Sequence, residues 1–113
     1  MTNSPIDLDV FSELSEATGE EFAAELVTTF LDEAPGMIAD LKAAVVENDS
    51  DGYRRAAHSL KSNAATFGAT ELAELARGIE LGSLPRNGEW TEADALQSTL
   101  DAAAEALRDL IHD

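Results

Sequence analysis

SDGYRRAAHSLKSNAATFGATEL, residues 50–72, combines a helical segment with the turn that ends it. Ser50 or Asp51 can cap the start of this helix, and Gly68 can break its end. At about 100° per residue, the apolar side chains fall on one stripe centred on Leu60. The stripe consists of Tyr53, Ala57, Leu60, Ala64 and Phe67. This spacing predicts a helix that packs one face against a hydrophobic core.

Four further segments have the same helical spacing. A short helix is predicted at about 7–17, a long one at about 20–48 with a kink at Pro35, and a third at about 69–81. The last helix should be capped by Thr91. The long helix should bury one stripe: Phe22, Leu26, Phe30, Met37, Leu41 and Val45. We therefore expect residues 1–113 to form a single all-α domain, an antiparallel four-helix bundle with a short extra N-terminal helix.

The charge of the chain restricts its partners. The net charge is -16, from 23 acidic and 7 basic side chains, which disfavours binding to nucleic acid or to an anionic membrane. There is no cysteine, so disulfides and thiolate sites are excluded. No apolar run suggests a signal peptide or a transmembrane span. We expect a cytoplasmic, monomeric protein with protein partners.

His58 lies on the wrong side of its helix to be a core residue. It falls about 160° from Leu60 at helical spacing, so it should be exposed to solvent. Its neighbours three and four residues away are Arg54, Arg55, Lys61 and Ser62. A lone exposed histidine is usually part of a solvated surface. Here, however, three cations surround it, and no Asp or Glu occurs from 53 to 70, which favours a site for an anion.

Other chemistries fit the sequence around His58 less well. The second histidine, His112, stands near the C-terminus and should have no role. No carboxylate lies within one helical turn of His58, so the sequence predicts neither a metal site nor a hydrolytic triad there. Ser62 and Ala65 lean toward His58 from the following turn, and their small size should leave the imidazole accessible.

A known signature covers these residues. His58-Ser59-Leu60-Lys61-Ser62, five residues, Gly68, three residues and Leu72 resembles the pattern H-x-L-K-G-x5-G-x3-L of histidine phosphotransfer (HPt) domains. Its position, in the middle of the second of four bundle helices, is also typical of that family. Ser62 replaces the usual glycine, but serine is small enough to preserve access to the ring.

The resemblance implies a phosphorelay intermediate. His58 would accept a phosphoryl group from a receiver-domain aspartate or a sensor or hybrid histidine kinase, and pass it to a response-regulator receiver domain. Lys61 would stabilise the phosphoryl oxygens. Mg²⁺ would be supplied by the receiver, so the chain itself would need no cofactor. The residue that orients the second ring nitrogen of His58 is left open by the sequence.

The receiver should dock beside His58, through Arg54, Arg55, Ser62 and Ala65. An apolar patch on the long helix is the second expected contact. Val27, Leu31 and Ile38 lie about 60° to 100° from the centre of its predicted buried stripe. The alternative is that the first helix covers this patch.

Two other functions are compatible with the sequence. The chain could be the phosphoacceptor domain of a larger kinase, in which an ATP-binding domain phosphorylates His58. It could instead be an acidic adaptor bundle that never carries phosphate. The chain has no glycine-rich nucleotide loop, so we expect a carrier and not an enzyme that uses ATP itself.

Overall fold

The computed structural model describes residues 5–86 and 90–111, and these residues form five helices without any β-strand. The helices are α1 (Leu8–Thr18), α2 (Glu20–Glu47), α3 (Ser50–Thr66), α4 (Thr70–Leu81) and α5 (Glu92–Ile111). Each of α2 and α4 packs against both α3 and α5, so α2 to α5 close a four-helix bundle. The short turns that join α2 to α3 and α3 to α4 make these neighbours antiparallel. The predicted all-α bundle is confirmed, and α1 is the extra N-terminal helix.

The ends of the helices follow from local capping. The Asp49 carboxylate accepts a hydrogen bond from the amide of Gly52 at 3.0 Å, so the cap of α3 is Asp49 and the prediction of Ser50 or Asp51 is wrong. The cap lies earlier because Asn48, in the left-handed conformation, ends α2 one residue before it. Helix α2 continues without a break through Pro35.

The core contains the predicted face of α3. All five residues of its stripe are buried, and the rings of Phe30 on α2 and Phe67 stack with their centroids 5.1 Å apart.

No helix among the described residues is long and apolar enough to span a membrane.

The buried face of α2 differs from the predicted stripe. Phe22 is 51% exposed, whereas Val27 and Ile38 are completely or almost completely buried. The centre of the buried stripe is rotated by about 40° round the helix axis from the centre of the predicted stripe, because Ala23 and Ala34 belong to the buried stripe. These small residues let neighbouring helices approach closely. The predicted stripe was based on large apolar side chains, so it did not include the two alanines.

Gly68 joins α3 to α4 in a conformation that requires glycine. Its φ is +77°, and a Cβ atom there would lie 2.6 Å from the carbonyl oxygen of Asp7. The Gly68 carbonyl accepts a hydrogen bond of 2.7 Å from the Asp7 amide, which holds the start of α1 against this turn. Backbone conformation and close packing therefore both exclude a side chain at residue 68.

We expect Gly68→Ala to lower the free energy of unfolding by about 1–3 kcal/mol, because alanine is strained at positive φ. Urea denaturation followed by circular dichroism measures this change. Gly78→Ala is the matched control: Gly78 is helical, and a Cβ there has no atom within 4 Å. It should stabilise the protein by about 0.5–1 kcal/mol. Equal effects of the two substitutions would show that the turn at Gly68 tolerates a side chain.

Candidate functional site

His58 stands on the exposed face of α3. Its side chain is 59% exposed, while the adjacent Ala57 and nearby Leu60 are completely buried. The predicted exposure of His58 is confirmed. Because α3 is held in the core on its opposite face, the position of the imidazole is fixed relative to the bundle.

A carboxylate from α4 contacts this histidine. Oε2 of Glu80 lies 2.8 Å from Nδ1 of His58, and Oε1 of Glu80 accepts a hydrogen bond of 2.5 Å from Nζ of Lys61. The Glu80 side chain is 21% exposed and that of Lys61 is 29% exposed, so both are partly shielded from water. One carboxylate therefore joins the two functional side chains predicted on α3.

The ionisation of Glu80 determines which ring nitrogen of His58 carries the proton. The hydrogen bond from Lys61 lowers the pKa of Glu80; burial acts against this shift, and the contact with His58 adds to it. An ionised carboxylate can only accept hydrogen bonds, so the hydrogen of the neutral imidazole belongs on Nδ1. Nε2 then has its lone pair free, and it makes no hydrogen bond within residues 5–86 and 90–111.

The same pKa shift links the contact to stability. Because the pKa of Glu80 is lower in the folded chain, the contact stabilises the fold above the ordinary titration range of glutamate. This contribution is lost as the pH falls through the lowered pKa.

Glu80 is the site residue that the sequence did not reveal. The sequence predicted neither a metal site nor a hydrolytic triad because no carboxylate lies within one helical turn of His58, but the folded chain brings Glu80 into contact with the ring. The acid comes from another helix: His58 and Glu80 are each eleven residues from Ala69, in the turn between α3 and α4. Equal rise along two antiparallel helices places them at the same level, about 16 Å from the turn. Counting outward from the turn would have found Glu80.

The residues predicted around the ring have different surroundings. Arg54 pairs with Asp51 at 2.6 Å on the surface, and Arg55 is exposed without an ion pair to any described residue. Ser62 and Ala65 are also exposed, as expected for an accessible ring. An open depression of about 390 Å³ at the site is lined by Arg54, Arg55, His58, Ser59 and Glu80.

The apolar docking patch predicted on α2 is not exposed at the surface of the bundle. Ile38 is 1% exposed and Val27 is fully buried, while Leu31 is partly buried and packs against the core. Docking through Ile38 or Val27 is therefore wrong, because the buried stripe of α2 extends to this edge. Helix α1 packs against α2.

Two further predictions concern metal ligands and the second histidine. Among the described residues, no group of three or more His, Asp or Glu side chains could hold a metal ion. His112, predicted to have no role, lies outside the described residues.

Comparison with known proteins identifies the class of this bundle. The family model described as "Hpt domain" matches residues 25–110, so the chain belongs to the Hpt domain family. Proteins of this class are phosphotransfer intermediates of two-component relays, and the chain is one of them. The match begins within α2 and does not include α1.

Two individual proteins resemble the chain over almost its whole length. The phosphorelay protein LuxU of Vibrio cholerae serotype O1 is 31% identical over 116 residues, covering 99% of this chain and 96% of that protein. The crystal structure of histidine-containing phosphotransfer protein B (HptB) from Pseudomonas aeruginosa PAO1 is similar with a TM-score of 0.73 and 27% identity. That match covers 97% of this chain and 93% of HptB.

Proposed function

We propose that residues 1–113 act as one phosphotransfer domain that accepts a phosphoryl group on Nε2 of His58 and passes it to a receiver domain. The observation that carries this proposal is the contact of 2.8 Å between Glu80 and Nδ1, on an imidazole whose other nitrogen makes no hydrogen bond to any residue that the structure describes. The relatives described as phosphorelay and phosphotransfer proteins support the same function. The chain serves as a phosphotransfer carrier.

The transfer step follows from the tautomer of His58. The Nε2 lone pair attacks the phosphorus of a receiver's aspartyl phosphate, a P–N bond forms, and the P–O bond to the aspartate breaks. The aspartate leaves as a carboxylate, and the ring of His58 becomes positively charged while it keeps its proton on Nδ1. Glu80 stabilises this developing charge through the hydrogen bond to Nδ1. Transfer onward reverses these steps on a second receiver.

Lys61 has two effects in this scheme. Its ammonium group holds the Glu80 carboxylate in place and keeps it ionised. It also lies one helical turn from His58, where its positive charge favours the incoming phosphoryl oxygens. Mg²⁺ is supplied by the receiver, whose aspartates are suited to bind it.

A receiver that carries labelled phosphate tests this function. The chain is incubated with a phosphorylated receiver domain and Mg²⁺, and the appearance of label on the chain is followed. Transfer from the receiver supports the proposed relay. Labelling only by a histidine kinase with ATP would assign the chain to the phosphoacceptor part of a kinase. No labelling from either donor would leave an adaptor that carries no phosphate.

Removal of the carboxylate should slow the reaction without preventing it. We expect Glu80→Ala to reduce the rate of phosphoryl acceptance about 10- to 150-fold, because hydrogen bonds to charged groups contribute about 1.5–3 kcal/mol. Stopped transfer reactions with the labelled receiver give this rate.

Glu74→Ala is the control for this prediction, because Glu74 is an exposed glutamate of the same helix. It should leave the rate unchanged. Lys61→Met should slow acceptance less than Glu80→Ala, since Glu80 still contacts His58 in that variant. A wild-type rate for Glu80→Ala would remove Glu80 from the mechanism.

A further inference from the structure

A cavity lies where α4 ends, between this helix and the first turns of α3 and α5. Its volume is about 340 Å³. It shares no lining residue with the depression at His58. The proposed phosphotransfer uses none of its residues, so the cavity needs an explanation of its own.

The charges around this cavity favour a cation. Glu74 and Glu92 line it with exposed carboxylates, and neither forms an ion pair with a described residue. The cavity also lies at the C-terminal end of α4, where the carbonyl groups of the last turn carry partial negative charge. That turn contains no basic residue to neutralise this charge. A positively charged ligand would be stabilised by both the carboxylates and the end of the helix.

A buried hydroxyl at the wall points to a ligand independently of the acids. Tyr53 lines the cavity and is 3% exposed. Burial raises the pKa of Tyr53, the charge of Glu92 raises it further, and Trp90 acts against this shift, so the hydroxyl is neutral. It donates no hydrogen bond to a described residue, and an indole cannot accept one. Since buried polar groups in proteins are normally paired, the cavity should hold a polar ligand.

The remaining wall suits a short apolar stem. Leu75 and Ile79 contribute aliphatic side chains to the cavity. Between them, Gly78 leaves it open, because a Cβ atom at this residue would have no atom within 4 Å. Glycine inside a helix lowers the stability of the helix, so its presence here favours a role that requires the space.

We propose that this cavity binds an alkylammonium group, carried either by a small aliphatic amine or by a lysine side chain. The ammonium donates hydrogen bonds to the two carboxylates and to the oxygen of the Tyr53 hydroxyl, and the alkyl stem packs on the aliphatic wall. A metal ion fits less well, because no group of three His, Asp or Glu side chains among the described residues could hold one. The aliphatic wall would also offer a metal ion nothing.

Titration with butylamine tests the site. Butylamine has one charge on a short stem, and butanol has the same stem without the charge. We expect butylamine to shift the amide NMR signals of Gly78, Gly82 and Ser83 with a dissociation constant of about 1 mM or lower. Butanol, or sodium chloride at the same ionic strength, should produce no saturable shift. N-acetyl-lysine amide, titrated in the same way, represents a lysine side chain of a protein.

Removal of the two charges should weaken binding. Affinity is measured through the fluorescence of Trp90, the only tryptophan of the chain, whose ring lies 6.1 Å from that of Tyr53. We expect Glu74→Gln/Glu92→Gln to bind butylamine about tenfold or more weakly, because hydrogen bonds to charged groups are lost.

The matched control for charge is Glu71→Gln/Asp94→Asn. These acids are exposed on the same two helices and do not line the cavity. The control has the same net charge as Glu74→Gln/Glu92→Gln and should bind like wild type.

Filling the cavity tests its location without changing any charge. Gly78→Leu should abolish saturable binding, because the new side chain occupies the opening. Gly36→Leu is the matched control: Gly36 is also helical with open space around a Cβ atom, but it does not line the cavity. Melting curves verify that both variants are folded.

The results decide the proposal in the following way. Saturable binding of butylamine assigns the site to a free amine, and binding of N-acetyl-lysine amide alone assigns it to a lysine of a protein. No saturable binding of either compound overturns the proposal, as does equal loss in the site and control variants. His58→Gln should bind like wild type, so failure of the proposed phosphotransfer would leave this inference untouched.

Discussion

His58→Gln should abolish phosphoryl acceptance from both a receiver domain and phosphoramidate. Glutamine keeps a polar side chain on the exposed face but has no nitrogen lone pair that can attack phosphorus. The free energy of unfolding should change by less than about 1 kcal/mol, because the position contributes little to packing. Label transfer and urea denaturation of the same preparation measure both effects.

Two results would contradict the assignment of His58. Residual label on His58→Gln that survives acid would indicate a serine or threonine ester, whereas phosphohistidine is labile in acid and stable in base. A large loss of stability would mean that His58 supports the fold. His112→Gln, the control at the second histidine, should be labelled like wild type.

Ser62→Phe should reduce transfer from a receiver about 100-fold or more without unfolding the bundle. Ser62 is exposed one turn beyond His58, and helical side chains lean toward the N-terminus, so a large ring there should cover the imidazole. Displacing reacting atoms by about 1 Å can already cost that factor. Receiver transfer rates and melting curves for the same variant separate blocked access from misfolding.

Ser62→Gly provides the control for size. It should transfer at nearly the wild-type rate and lose about 0.5–1 kcal/mol of stability through the helix. Ser62→Arg should block transfer as phenylalanine does, which excludes an effect specific to aromatic rings. A wild-type transfer rate for Ser62→Phe would show that the receiver does not approach across this face.

Local periodicity was sufficient to predict the bundle and the exposed histidine. The buried stripe of α3 alternates with polar residues at regular spacing, so the opposite position of His58 follows from the geometry of one helix. The buried face of α2 was predicted less well, since Ala23 and Ala34 contribute to the core through close approach and not through size. Because the alanines were left out, Phe22 was predicted to be buried, and Val27 and Ile38 were predicted to lie at the surface.

Tertiary contacts bring together site residues that lie far apart in the sequence. Glu80 is 22 residues from His58, and only the antiparallel packing of α3 and α4 brings its carboxylate to Nδ1. The spacing of residues within one helix cannot reveal this contact, although the position of the turn at Ala69 could have suggested it.

In the proposed mechanism, Glu80 holds the proton of His58 on Nδ1 so that Nε2 accepts the phosphoryl group. Nitrogen-15 NMR of the imidazole, recorded before and after phosphorylation by a receiver, tests this claim most directly. We predict a proton on Nδ1 in the free protein and coupling of phosphorus to Nε2 of His58 afterwards. Coupling of phosphorus to Nδ1, or phosphate on any other residue, would contradict it.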